Sequence, residues 1–179
     1  MARLSLVNPT TATAAPLREL FKEVQSRLGA NPNMTRAMAN SPALLKGYLG
    51  LFGALSRGVL DGATRELIAL TVAQGNGCAY CLSAHSYLAE HVAGLAEDDI
   101  VAARKATATD SKTAAILAFA AAVNDGRGTV TDEDLAAARA AGVTDEEIAE
   151  TIGHVALNVL TNYFNKAVDV DIDFPLVAA

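Results

Sequence analysis

Apolar side chains recur along the chain at intervals of three and four residues, which is the spacing of one helix face. Gly, Pro and Asn residues separate these segments, and no segment alternates convincingly between β-branched and polar residues. The predicted helices cover about residues 16–28, 34–39, 42–56, 63–74, 78–93, a short segment from 96, 111–124, a segment from 132 and 145–168. The pattern therefore predicts an all-α fold, with residues 1–179 forming a single-domain helical bundle of roughly seven to nine helices.

Two of the later segments begin with the capping-box pattern, a hydroxyl followed three residues on by a carboxylate. Thr131 is followed by Asp134 and Thr144 by Glu147. Each pair predicts the first residue of a helix.

Composition narrows the classes of partner. Hydrophobic residues make up 51% of the chain and charged residues 19%, which is typical of a globular protein. The net charge of −6, without a basic patch, argues against nucleic acid or an anionic membrane as a partner. The longest apolar stretch, 114–123, is far below the roughly 20 residues that a membrane span needs, and no signal peptide is evident. The sequence therefore predicts a soluble, cytoplasmic protein.

The only two cysteines form one Cys-x-x-Cys pair, Cys78 and Cys81, a spacing that indicates redox chemistry or metal binding. At about 100° per residue, both cysteines and His85 fall within roughly 60° of each other on the predicted helix. The same face continues into apolar residues, so it is predicted to be buried. Tyr80 points about 200° away from Cys78, toward the opposite side.

Glu66 is predicted to meet His85. If the glycine-rich segment 75–77 reverses the chain, Glu66 lies about 12 Å below the turn and His85 about 10 Å below it on the returning helix. The carboxylate would orient the imidazole and raise its basicity, and the imidazole would take the proton of Cys81. The helix start also favours a thiolate at either cysteine. After attack on a peroxide, the resulting sulfenic acid can condense with the second thiol.

Other interpretations of these residues stay open. Zinc could bind Cys78, Cys81 and His85, although Glu66 would have to be the fourth ligand because the chain has no second Cys-x-x-Cys or His pair. The cysteines could be small buried hydrophobic residues, His85 a hydrogen-bonded core histidine, and Glu66 an ordinary first-turn glutamate. A non-catalytic, zinc-bound or structural oligomer is therefore one alternative function.

The run Glu66-x11-Cys78-x-Tyr80-Cys81-x3-His85 resembles the core motif of the AhpD-like alkylhydroperoxidases in the carboxymuconolactone decarboxylase superfamily. The close match covers about residues 60–93. The resemblance implies an AhpD-like helical fold, homo-oligomers such as trimers or hexamers, and peroxide reduction through a disulfide cycle without a cofactor. It also implies that Cys81 attacks the peroxide.

Within that resemblance Cys78 is the resolving cysteine, and Glu66 and His85 form the proton relay. Helix-start exposure alone would instead favour Cys78 as the attacking thiol. Tyr80 stands where the best-known members carry a second histidine, which puts the reducing partner in doubt; it could be a lipoylated or a thioredoxin-like protein. A decarboxylase-like lyase of the same superfamily is a further alternative, but such members lack the dithiol.

Two other features are predicted near the C-terminus. A polar stripe on the last helix is expected either to line the active-site entrance or a subunit contact, or to be a solvated face; its members are His154, Asn158, Asn162 and Asn165. The acidic segment 169–175 is expected to be a surface tail that docks Phe174 on a neighbour.

Overall fold

The computed structural model describes residues 2–12 and 14–179, and within them the chain forms nine helices and no strand. The helices are α1 (Ala15–Leu28), α2 (Asn33–Met38), α3 (Pro42–Leu55), α4 (Gly62–Gly75), α5 (Ala79–His91), α6 (Glu97–Ala103), α7 (Ser111–Asp125), α8 (Asp132–Ala140) and α9 (Asp145–Val168). The predicted all-α fold is therefore confirmed, and the predicted helix ends lie within two residues of the observed ones.

Side-chain caps fix where several helices begin. Both predicted capping boxes are present, so that Thr131 is the N-cap of α8 and Thr144 is the N-cap of α9. Asp61 accepts from the N–H of Thr64 at the start of α4. Each cap satisfies a backbone donor that the first turn of a helix leaves without an intrahelical partner.

Helix α4 lies at the centre of the fold. Its seven consecutive residues 67–73 are all buried, and it packs against α5, α6, α7 and α9. Ile68 and Leu70 are fully inaccessible. Replacing a side chain of this kind with alanine costs about 2–5 kcal/mol, since it removes apolar contacts and leaves a cavity. The backbone of α4 is therefore held in place by its neighbours, and so are the positions from which its side chains project.

The segment after α9 folds back over α5 of the same chain. Asp169 ends α9 in the left-handed conformation, with a φ of 55°. Phe174 packs edge-on against Tyr80 and at a tilt against Tyr87, with ring centroids 5.9 and 6.0 Å apart. The N–H of Val177 donates to the hydroxyl of Ser83 on α5 at 2.9 Å. Phe174 therefore docks on its own chain, not as an open surface tail.

No helix in the described part of the chain is long and apolar enough to cross a membrane.

Candidate active site

Cys78 and Cys81 form a disulfide at the start of α5, with Cα atoms 5.3 Å apart. Cys78 lies just before the helix and is its N-cap residue, because its sulfur accepts from the N–H of Cys81 at 3.3 Å. The sequence predicted that Cys78 would be inside the helix, whereas the structure gives its side chain the capping role. Both residues are almost completely buried, at 1% and 2% exposure.

A polar clamp holds the turn that leads into Cys78. The side-chain amide of Asn76 donates to the amide oxygens of Asn124 on α7 and Asn162 on α9, each at 3.0 Å. The ammonium of Lys166 donates to the main-chain carbonyl of Asn76. Gly77 has a φ of +60°, a conformation that residues with a Cβ rarely adopt. The position of Cys78 is therefore fixed by contacts to two other helices.

Glu66 and His85 meet on the other side of the dithiol, as the sequence predicted. Oε2 of Glu66 lies 2.8 Å from Nδ1 of His85, so the second turn of α4 is joined to the second turn of α5. Because Nδ1 faces the carboxylate, Nε2 is the ring nitrogen left to exchange a proton elsewhere in the site. His85 and Glu66 are 24% and 23% exposed. This pair is thus the solvent-facing part of the site, and the two sulfurs are its interior part.

Tyr48 lies near enough to Glu66 for the carboxylate charge to act on its hydroxyl, although the sequence did not single it out. It is a buried residue of α3, and burial together with the negative charge of Glu66 raises the pKa of its hydroxyl. The sequence alone does not distinguish a tyrosine near a reactive site from a tyrosine of the core when the helix around it is apolar. Only the packing of α3 brings it within reach of Glu66.

The polar stripe of α9 is buried. His154, Asn158, Asn162 and Asn165 are all at most 5% exposed, so the interpretation as a solvated face is wrong. Two of the four reach the dithiol region, since Asn162 bonds to Asn76 and Nδ2 of Asn165 lies 3.3 Å from Sγ of Cys81. The amide of Asn158 instead donates to the carbonyl of His154 in the same helix.

His154 is held in its neutral form. Burial, with the positive charge of Arg65 adding to it, lowers the pKa of His154 to about 4. The negative charges of Glu150 and Glu66 act in the opposite direction but are outweighed. Its Nε2 is buried and has no hydrogen-bond partner among residues 2–12 and 14–179.

Tyr80 points away from the sulfurs, toward α2 and the C-terminal segment. Its hydroxyl accepts from the N–H of Met34 at 3.2 Å and donates to Oδ1 of Asp173 at 2.8 Å. Burial is the main cause that raises its pKa, and the charge of Asp173 adds to it. The side chain thus ties three segments together, and its two hydrogen bonds are to Met34 and Asp173 rather than to Glu66 or His85.

Within the described residues, no three His, Cys, Asp or Glu side chains are grouped so that they could hold a metal ion. The zinc alternative, which needs Cys78, Cys81 and His85 together, therefore finds no ligand set there.

Comparison with known proteins gives matches to both the motif segment and the fold. The sequence profile of the Carboxymuconolactone decarboxylase family matches residues 42–125, which include all four predicted site residues. An uncharacterized protein from Haemophilus influenzae (strain ATCC 51907 / DSM 11121 / KW20 / Rd) is 50% identical over 46 residues. That alignment covers 25% of this chain and only 41% of the relative's length.

Three solved structures share the helical arrangement. An alkylhydroperoxidase AhpD core protein from Ralstonia eutropha JMP134 has a TM-score of 0.83 at 23% identity, over 96% of this chain and 92% of that one. A peroxidase-related protein from Silicibacter sp. TM1040 has a TM-score of 0.81 at 23% identity, over 95% and 91%. The debrominase Bmp8 in complex with 2,3,4-tribromopyrrole has a TM-score of 0.78 at 25% identity, over 97% and 94%.

The matched segment carries the Cys-x-x-Cys pair on a fold that these structures share along nearly their whole length. Residues 42–125 are similar to the Carboxymuconolactone decarboxylase family, and the chain shares its helical fold with the AhpD core and peroxidase-related structures.

Proposed function

We propose that this protein is a thiol-dependent peroxidase that reduces hydroperoxides through a dithiol/disulfide cycle of Cys78 and Cys81. The observation that carries the proposal is a disulfide at the start of α5 together with an imidazole of the same helix that is bonded to a carboxylate of α4. Cys78 and Cys81 are bonded, and His85, one turn beyond Cys81, is held by Glu66 at 2.8 Å. A nucleophile, a resolving thiol and a proton carrier are the groups that this chemistry requires.

In the first step the thiolate of Cys81 attacks the terminal oxygen of the hydroperoxide. The S–O bond forms as the O–O bond breaks, so that Cys81 is oxidised by two electrons to a sulfenic acid and the peroxide is reduced to an alcohol. The alcohol oxygen takes the proton that His85 removed from the Cys81 thiol. Glu66 keeps the imidazole in one orientation and balances the positive charge while His85 holds that proton.

In the second step the thiolate of Cys78 attacks the sulfur of the Cys81 sulfenic acid. The S–S bond forms as the S–O bond breaks, and the hydroxyl leaves as water after taking a proton. An external dithiol, on a lipoylated or a thioredoxin-like protein, then returns two electrons by thiol–disulfide exchange. The proposed enzyme is a cytoplasmic homo-oligomer, a trimer or hexamer.

Reductive dehalogenation is a second candidate, because this chain is 25% identical to a debrominase whose structure holds a brominated pyrrole. The same dithiol could supply the two electrons, giving a disulfide, bromide and the dehalogenated ring. The decarboxylase-like lyase is the less favoured alternative, because that chemistry leaves the dithiol without a role.

The test is a single turnover of the reduced protein with one equivalent of a hydroperoxide. We expect the loss of both thiols without covalent dimers, since Cys78 and Cys81 are the only cysteines. Cys81→Ser should abolish turnover, whereas Cys78→Ser should allow one oxidation to a sulfenic acid that a dimedone-type reagent traps. Retention of both thiols with peroxide, but their loss with a bromopyrrole, would favour the debrominase candidate. Retention of both thiols with either compound would reject dithiol chemistry.

A further inference from the structure

Asn165 places an amide donor against one sulfur of the dithiol. Its Nδ2 lies 3.3 Å from Sγ of Cys81 and 3.3 Å from the thioether sulfur of Met34, and the residue is 3% exposed. It comes from α9, whereas both cysteines lie at the start of α5. The contact is therefore a tertiary one that the packing of two helices creates.

The two sulfurs have different donors. Sγ of Cys78 accepts from the main-chain N–H of Cys81, which the helix start supplies in any sequence that places a cysteine at the N-cap. Sγ of Cys81 accepts from the side chain of Asn165, which depends on one residue of another helix. Mutation can therefore remove the donor to Cys81 without altering the donor to Cys78.

The oxygen of the Asn165 amide indicates why a polar side chain stands at this position. Its Oδ1 is buried and has no hydrogen-bond partner within the part of the chain that the structure describes. An unsatisfied buried oxygen costs about 1–3 kcal/mol, so an apolar side chain of similar size would serve stability better here. The favourable contact that the amide does make is to sulfur, and such a contact is strong only when the sulfur is charged.

We infer that Asn165 is a neutral hydrogen-bond donor that stabilises the thiolate of Cys81 and so favours Cys81 as the attacking sulfur. The inference rests on the dithiol function proposed above, and it concerns the step before any peroxide reacts. A donor that stabilises the thiolate more than the thiol lowers the free energy of losing the proton to His85. The donor carries no charge, so it adds no second ion to an interior where ions are costly.

The test measures the thiolate in reduced protein by its ultraviolet absorbance as a function of pH, which requires no access of a reagent to the buried sulfur. In a Cys78→Ser background the only thiol is Cys81. Adding Asn165→Leu should move the titration midpoint up by about one pH unit or more, the loss expected for a hydrogen bond to a charged group. Asn165→Ala is the second variant, in case leucine does not fit.

Two controls make the readout specific. Asn158→Leu removes another buried amide of α9 whose bond goes to a carbonyl of its own helix, and it should leave the midpoint of Cys81 unchanged. In a Cys81→Ser background, Asn165→Leu should leave the midpoint of Cys78 unchanged. The other titratable groups around the sulfurs are unchanged in every variant: Glu66, His85, His154, Tyr80 and Lys166.

An unchanged Cys81 midpoint in both Asn165 variants would overturn the inference. An equal shift of Cys78 and Cys81 would also overturn it, because it would indicate a general change of packing. Since no peroxide is used, a shifted midpoint in a protein that fails to reduce hydroperoxides would reject the proposed peroxidase alone.

Discussion

The two sides of the dithiol differ in charge and in exposure. On one side Glu66 and His85, each about a quarter exposed, form a pair in which a proton can move. On the other side three residues of α9 are buried and uncharged: Asn162 and Asn165 are amides, and His154 is held neutral. Because a buried ion is costly unless it is paired, charge is confined to the side that solvent reaches. The amides of Asn162 and Asn165 act on the dithiol region as dipoles, and the charged Lys166 of α9 reaches that region from the exposed surface.

The largest effect is expected from Glu66→Gln, which removes the charge on the solvent side but preserves the shape of the side chain. Without the carboxylate, His85 is a poorer acceptor for the thiol proton, so oxidation near neutral pH should slow about 10²-fold. Stopped-flow oxidation by a hydroperoxide and thiolate absorbance against pH both measure this change. Thermal unfolding should stay close to that of the unaltered protein.

Glu90→Gln is the matched control for Glu66→Gln. Glu90 lies on the same helix as His85, but its side chain is 66% exposed and faces His91. This control should oxidise at the original rate. If the Glu66 variant gave the same rate and pH profile as the Glu90 variant, Glu66 would be only a structural residue of α4.

His154 is expected to make the unfolding free energy depend on pH over a defined range. Its pKa is about 4 in the folded protein and about 6.5 in the unfolded chain, so below pH 6.5 the unfolded state binds more protons. Stability is therefore lost as the pH falls from about 6.5 toward 4, by about 2 kcal/mol at pH 5. Above pH 7 both states are neutral at this residue, and it contributes no pH dependence.

Replacing His154 should remove its contribution to the loss of stability over this pH range. Denaturant unfolding at pH 7 and at pH 5 gives the unfolding free energy that each protein loses between the two pH values. This loss should be smaller by about 2 kcal/mol in His154→Leu than in the original protein. His91→Gln removes an exposed histidine of α5 and should leave the loss unchanged. Equal losses in the His154 variant and the original protein would mean that the α9 side does accept a proton, and the contrast between the two sides would fail.

The solvent-facing side could be predicted from the sequence because it depends on local geometry. Glu66 and His85 lie on two consecutive helices joined by a short turn, and the rise per residue is enough to place them at one level. The contact at 2.8 Å agrees with that prediction. Both capping boxes followed from local pattern in the same way.

The interior side could not be predicted because it depends on how distant helices pack. The spacing of Asn158, Asn162 and Asn165 shows that they share a face of α9, but not whether that face meets water or α5. Polar side chains at helical spacing fit a solvated face and a buried polar contact equally well, so periodicity leaves the orientation of α9 open. The docking of Phe174 on its own chain is a long-range contact of the same kind.

The smallest effect is expected at Tyr80, which lies outside both sides. Tyr80→Phe removes the hydroxyl that joins Met34 and Asp173 but keeps the ring against Phe174. The lost hydrogen bonds should lower the unfolding free energy by about 1–2 kcal/mol, or about 2–4 °C in Tm for each kcal/mol. Oxidation by peroxide should stay within about twofold of the original rate, because the hydroxyl faces away from the sulfurs and carries no proton to them at neutral pH.

Tyr87→Phe is the control for Tyr80→Phe. Its ring is 38% exposed and also contacts Phe174, and the change should alter neither the unfolding free energy nor the oxidation rate. A fall in the oxidation rate like that of Glu66→Gln would instead make Tyr80 a third part of the reactive site, and the division into a charged side and a neutral side would no longer describe it.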